Sequence, residues 1–294
     1  MTFRPPTAIE LERLIPPERP RRWGCSLLDL RTAPVTWHLP GSAWWPHPVS
    51  PPSHFLPRRG SEVILLGPDP SRARTLAEEL AQRGWTSSWL QAAFTDELRP
   101  RLEARGWHPA EGPTKGALWS PDPDLLEHRR LLELLPPGPV ADLGSGNGRN
   151  AVYLAQLGRD VHAYDRLADA LALGRQRAAW HGVRIHTYQQ KLISWDSVPG
   201  PEHFALLLFL RFHRLSLLQN ASARLLPGGL VVLSAYRAEG RGDRSHRLLP
   251  ETVESLFPDD RWEILDASEG EEEAGQARIF RMVRLRSAGG GSAG

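Results

Sequence analysis

The residues best equipped for chemistry lie in one short run, Asp142-Leu143-Gly144-Ser145-Gly146-Asn147-Gly148. The apolar segment Val140–Leu143 before it reads as a buried parallel strand. Glycines let the backbone turn sharply where that strand ends and keep side chains away from a ligand pressed on the loop. A helix expected from Asn150 points its amino-terminal amides at the same place. In an open parallel sheet, ligands bind in the crevice outside the strands' carboxyl ends. A dinucleotide loop needs a third glycine three residues after the second, but Arg149 stands there. Nicotinamide-dependent reduction is therefore disfavoured. Gly-x-Gly-x-Gly suits S-adenosylmethionine, which has no pyrophosphate to cradle. Asp165, at the end of the next expected strand Val161–Tyr164, is placed to accept the ribose hydroxyls.

The acceptor side is read from Arg211-Phe212-His213-Arg214, after the fourth expected strand. Methyl transfer from a sulfonium mainly requires positioning. Arg211 and Arg214 can form a cationic rim for an anionic acceptor, and His213 is the candidate base for an acceptor that must lose a proton. A solvated loop leading into a helix is the competing reading. Tyr236 and Arg237, after the fifth strand, are weaker candidates. His162 lies within a strand and reads as structural, while the other histidines show no metal-ligand spacing. The acidic run Glu269 to Glu273 reads as a solvated hairpin tip.

Alternating strands and helices must hold these residues. Strands are expected at Val140–Leu143, Val161–Tyr164, Val183–Tyr188, Phe204–Phe209 and Leu230–Leu233. Helices are expected at Asn150–Leu157, Ala168–Trp180 and Leu215–Leu226, the last stopped by Pro227-Gly228-Gly229. This βαβ order demands a parallel sheet with right-handed crossovers. Trp262–Leu265 and Arg278–Leu285 suggest an antiparallel pair. The first hundred residues carry a smaller α/β pattern. Thr7–Ile15 is expected as a helix with Thr7 and Glu10 at capping-box spacing. Leu27–Leu30 and Val63–Leu66 are expected as strands, and Ser71–Arg83 as an amphipathic helix.

Bulk properties narrow the class. The chain has 294 residues, 40% of them apolar, and a net charge of +2, which suits one large or two ordinary domains. Arginines are scattered along it, so no nucleic-acid partner is expected. No apolar run is long enough to span a membrane, and the first residues lack the apolar core of a secretory signal; a cytoplasmic protein is the expectation. The single cysteine, Cys25, leaves no partner for an intrachain disulfide and reads as a small buried apolar residue.

Two family resemblances complete the reading. From about Ala117 to Arg286 the chain resembles class I adenosylmethionine-dependent methyltransferases, especially the tellurite-resistance-type group. The likeness is carried by Asp142 to Leu154, Leu225-Leu-Pro-Gly-Gly-Leu-Val-Val232, and the segments Leu248–Phe257 and Glu269–Arg278. It implies an α/β fold with a seven-stranded Rossmann-like sheet whose last strand is antiparallel. It also implies cofactor contacts from Asp142, Gly144, Ser145, Gly146, Asn147, Gly148, Asp165, Arg166, Leu192 and Phe209. The family's Asp-Leu for the adenine amino group is replaced here by Lys191-Leu192, and a lysine cannot accept that bond. The leading reading is a methyltransferase acting on a small, anionic or chalcogen-containing acceptor. The alternative is a protein that senses or holds adenosylmethionine without catalysis.

The segment from Thr7 to Phe94 resembles a rhodanese-like domain through Leu27-Leu-Asp29-Leu-Arg31, His38-Leu-Pro40-Gly41-Ser-Ala43, and Val63–Leu66 with its following loop and helix. Gly67 stands where active members carry a nucleophilic cysteine, so the resemblance implies an inactive domain with a recognition or scaffold role, which leaves a protein partner open. Arg72, at the family's arginine position, leaves anion binding by the loop open. The expected organisation is a rhodanese-like domain over 1–105, a linker over 106–118, the methyltransferase domain over 119–286 and a disordered tail over 287–294.

Overall fold

The computed structural model describes residues 7–14, 26–32, 35–40, 42–53, 55–57, 61–112, 118–238, 247–271 and 277–286. The chain divides into two units, Met1–Ser120 and Pro121–Gly294. Cys25, Gly41, most of the expected linker's last residues, Glu272 and Glu273, and the 287–294 tail lie outside the described residues. Among those described, no helix is long and apolar enough to cross a membrane.

The first unit holds a five-stranded parallel sheet in the order Thr7–Ile9, Thr86–Leu90, Glu62–Leu66, Ser26–Asp29, Ser42–Trp44. The helix expected at Thr7–Ile15 is absent. Thr7–Ile9 is an edge strand paired with Ser88–Leu90, followed by a single 3-10 turn at Leu11–Arg13. Sheet pairing buries Ile9 and the turn buries Leu11 and Leu14, so tertiary pairing outweighs a local capping pattern. The expected helix at Ser71–Arg83 is present as Pro70–Gln82, and the Asp69 carboxylate accepts from the amides of Ser71 and Arg72. Part of the stretch read as a linker packs onto this unit. Trp107 is buried, Ala110–Glu111 pairs with Trp37–His38, and the Leu118 amide donates to Phe55 O.

The second unit contains an eight-stranded sheet. Its continuous path runs His186–Gln189, Val161–Asp165, Val140–Leu143, Phe204–Leu210, Leu225–Arg237, Ala277–Leu285, Trp262–Glu271, and Arg247–Leu248 adds to the Leu225–Arg237 strand. The expected count of seven is thus exceeded by one short strand. Ala277–Leu285 is antiparallel to both its neighbours, as expected. The strand Phe204–Leu210 is buried throughout and feeds both faces of the sheet. Leu207 and Phe209 join one core cluster, while Leu206, Leu208 and Leu210 join the other. Each such side chain contributes roughly 1.5–3 kcal/mol of burial.

Two boundaries differ from expectation. The third strand begins only at His186, and the helix read over Leu215–Leu226 stops at Gln219. A 3-10 turn then leads directly into the long strand, so Pro227-Gly228-Gly229 sits inside a strand beside a register shift. Gly228 adopts a φ of +75° there, a conformation that glycine permits within an irregular strand.

Candidate active site

The strand Val140–Leu143 ends at Gly144 in a loop with three left-handed glycines, Gly144, Gly146 and Gly148. Two of them also have to be small. A Cβ on Gly144 would stand 2.5 Å from the Cβ and Cγ of Phe212, and one on Gly148 would stand 2.9 Å from the Cα of Gly174. The loop is thereby pressed between the Phe212 ring and the helix Ala168–Trp180. At Gly146 a Cβ would meet nothing within 4 Å, so this face is open.

Backbone bonds hold the loop's shape. The amides of Gly144 and Ser145 both donate to Tyr164 O at 2.9 Å. The Gly146 amide donates to Asp165 Oδ2 at 2.8 Å, and the Leu167 amide donates to Oδ1 of the same carboxylate at 2.9 Å. Asp165 therefore joins the end of the second strand to the glycine loop. Behind the loop, the buried Arg177 guanidinium donates to Asn147 O. Burial pushes its pKa down to about 9, and the nearby Arg149 acts in the same direction.

Asp142 lies at the base of the site, fully buried. Burial pushes its carboxyl up to about 7; the Ala151 amide bonded to it pulls the other way, and the Asp165 charge adds to the rise. Asp142 Oδ2 and Ser145 Oγ are buried without a hydrogen-bond partner among the described residues. Leaving such atoms unmet costs roughly 1–3 kcal/mol each, so they are natural contacts for a polar ligand.

A cleft of about 470 Å3 opens beside the loop. It is lined by Gly144, Asp165 to Leu167, Gln190 to Leu192, and Arg211 to Arg214. The structure thus brings Gly144, Asp165, Arg166, Leu192, Arg211, His213 and Arg214 around one space. Asp142, Ser145, Gly146, Asn147 and Gly148 build the loop at its edge. Phe209 is not with them: it is wholly buried in the core and absent from the cleft lining. Tyr236 and Arg237 do not line the cleft either, and Arg237 pairs with Glu269 at 2.9 Å.

Within the cationic rim the two arginines differ in their surroundings. Arg211 stands 3.6 Å from the buried Asp122, and Asp124 beside it pairs with Arg278. Burial raises the Asp122 pKa, and Arg211 is the largest influence opposing that rise. Arg211 has a φ of +58°, unique among the described non-glycine residues. That geometry costs about 1–3 kcal/mol and is held by the Arg211 amide bonded to Ser234 O at 2.8 Å. Arg211 thus lines the cleft while pairing with Asp122 behind it, whereas Arg214 is exposed and His213 half-buried.

Phe212 and Gln190 are the contributors that sequence reasoning missed. Phe212 sat unremarked among charged neighbours. Gln190 directly precedes Lys191, and both line the cleft.

Residues 140–229 match the family described as a methyltransferase domain. Among curated proteins none matches. Several solved structures are similar to this chain. TehB from Haemophilus influenzae is 20% identical with a TM-score of 0.45, over 56% of this chain and 62% of that one. The 1,6-didemethyltoxoflavin-N1-methyltransferase of Burkholderia thailandensis, bound to 1,6-didemethyltoxoflavin and S-adenosylhomocysteine, is 20% identical with a TM-score of 0.42, over 55% and 76%. An rRNA methylase from Streptococcus thermophilus is 19% identical with a TM-score of 0.44, over 55% and 95%. The chain thus spans less than two thirds of the Haemophilus protein. The matched segment, residues 140–229, contains the glycine loop and Asp165, so the methyltransferase-domain match and the cleft fall on the same part of the chain.

Proposed function

We propose that the second unit transfers the methyl group of S-adenosylmethionine to a small acceptor. The observation carrying this reading is the single cleft of about 470 Å3 that joins the glycine loop, Asp165 and the Arg211–Arg214 segment. Its size lies within the roughly 300–1,000 Å3 of small-molecule sites. Each Asp165 oxygen accepts one backbone amide, Oδ2 from Gly146 in the loop and Oδ1 from Leu167, and keeps another acceptor position for a ribose hydroxyl. The open face at Gly146 and the unpartnered Asp142 Oδ2 suit the cofactor's cationic amino-acid end. Gln190 offers the acceptor for the adenine amino group that Lys191 lacks.

When bound, adenosylmethionine supplies an electrophilic methyl group. The protein then has to align the acceptor and keep water out. Arg214 attracts an anionic acceptor, and His213 takes the proton from one that must lose it. The tellurite-type resemblance favours a chalcogen-containing acceptor. The matched family consists of methyltransferase domains, which supports transfer over the alternative of mere binding.

In the same reading the first unit is an inactive rhodanese-like domain that recognises a protein partner. In support, Glu62–Leu66, the Gly67 loop and the helix Pro70–Gln82 follow one another as the resemblance requires. Arg72 donates to the carbonyls of Leu30 and His47, which diverts it from an anion in that loop.

The test is calorimetric titration with adenosylmethionine, followed by measurement of adenosylhomocysteine formed with a panel of chalcogen oxyanions and thiols. Binding followed by turnover on any acceptor supports the reading. No binding at all ends it, and binding with no turnover on the panel returns the non-catalytic alternative.

A further inference from the structure

At the amino-terminal end of the same sheet, on the far side from the cleft, the fold brings together residues that sequence spacing kept apart. His162 and His186 are register partners on adjacent parallel strands, the second an edge strand. Their rings stack with centroids 4.7 Å apart and 19° between planes. Asp160, just before the first of these strands, turns one oxygen toward each ring. Oδ2 lies 3.4 Å from His162 Nε2, and Oδ1 lies 3.2 Å from His186 Nε2. One potential ligand atom from each residue lies within 4.8 Å of the other two, in the sole group of this kind among the described residues.

The surroundings orient these atoms. His162 is buried and its Nδ1 is 3.0 Å from the Tyr188 hydroxyl. Tyr188 in turn stacks on Tyr164 at 4.8 Å. In the tautomer whose Nδ1–H donates to that hydroxyl, Nε2 presents its lone pair on the Asp160 side; in the other, Nε2–H donates to Asp160 Oδ2 at 3.4 Å. A cation at this place selects the first tautomer and takes over the contact between Nε2 and the carboxylate. A histidine ligand whose other nitrogen is held by a hydrogen bond is the usual arrangement at protein metal sites. At metal–ligand distances of roughly 2.0–2.2 Å, tetrahedral neighbours stand about 3.3–3.6 Å apart. The two carboxylate–imidazole separations are already close to this. Asp160 and His186 remain more than half exposed, so an ion can reach them from solvent.

We propose that Asp160, His162 and His186 form a site for a divalent transition metal of the zinc type, with solvent completing the coordination. Two imidazole nitrogens and one carboxylate suit zinc, cobalt or nickel better than calcium or magnesium, which prefer all-oxygen sites. Bound metal clips the edge strand His186–Gln189 to its neighbour. The site is independent of the methyl-transfer reading and stands or falls without it.

The experiment is equilibrium dialysis of the full chain against buffered Zn2+, repeated with Asp160→Asn and His186→Ala. Both positions are exposed, so the substitutions spare the core. The expected result is one equivalent of zinc in the unaltered chain that both variants lose. Co2+ in its place gives a visible absorption band that the variants lack. Zinc at a hundred times its Kd raises the thermal midpoint of the unaltered chain by roughly 5–10 °C and leaves the variants unmoved. Equal zinc uptake by all three proteins, or none by the unaltered chain, overturns the proposal.

Discussion

The Asp165 carboxylate accepts the Gly146 amide at 2.8 Å, so the residue expected to hold the cofactor's ribose also holds the loop against which the cofactor rests. One side chain serves both the site's shape and its ligand. Replacing Asp165 with alanine removes two charge-assisted acceptors from ligand and loop together. It should weaken adenosylmethionine binding by well over tenfold, equivalent to about 2–4 kcal/mol. Calorimetry on a folded variant checks this, and unchanged affinity removes Asp165 from the site.

Asp142 predicts a pH dependence. Its folded-state pKa is raised from 3.8 to about 7, chiefly by burial. The folded protein therefore keeps a proton that the unfolded chain releases between about pH 4 and 7. Stability should fall as pH rises through that window and level off above it. Asp142→Asn should remove this fall and gain on the order of a few kcal/mol relative to the unaltered protein at pH 8. Urea denaturation of both proteins at pH 5 and pH 8 is the measurement. Parallel pH profiles would show that Asp142 ionises freely in the fold.

Arg211 and Arg214 should separate. Arg211→Ala leaves the buried Asp122 without its nearest cation. Loss of a buried partner costs about 3–5 kcal/mol, and the partial exposure of Arg211 lowers the expected loss to roughly 2–3 kcal/mol. Arg214→Ala should leave stability within about 0.5 kcal/mol while raising the acceptor's KM and sparing cofactor affinity. The converse pattern, a stable Arg211 variant with altered KM, would give Arg211 the acceptor-binding role.

Gln190 takes over adenine recognition in the proposed function. Gln190→Ala should lower adenosylmethionine affinity by about fivefold to tenfold, the worth of one neutral hydrogen bond, whereas Lys191→Ala should change it little. A loss confined to the Lys191 variant would contradict this assignment.

The first unit should lack thiosulfate sulfurtransferase activity, because Gly67 offers no nucleophile, and a Cβ there would already stand 3.2 Å from Leu30 Cβ. Thiocyanate formation from thiosulfate and cyanide is the assay. Activity that vanishes in Cys25→Ser would mean that Cys25 serves as the nucleophile.

The glycine loop, Asp165, the strand–helix alternation around them and the antiparallel closing strand were all legible from sequence, because each rests on local pattern. Glycines at fixed spacing, an apolar run of strand length and an acidic residue at a strand end announce themselves without a partner. Thr7–Ile9 did not, since a helix-capping pattern and an edge strand look alike until Thr86–Leu90 lies alongside. The methyltransferase resemblance implies a cofactor contact at Phe209. Whether it faces cleft or core depends on which side of the sheet it occupies, and a register shift near Phe204 intervenes. Only tertiary structure could show that Asp122, distant in sequence, claims Arg211, or that His162 and His186 meet across one ladder. Local spacing dictates which elements form and what their ends can bind; the pairing of strands decides which side chains share a space.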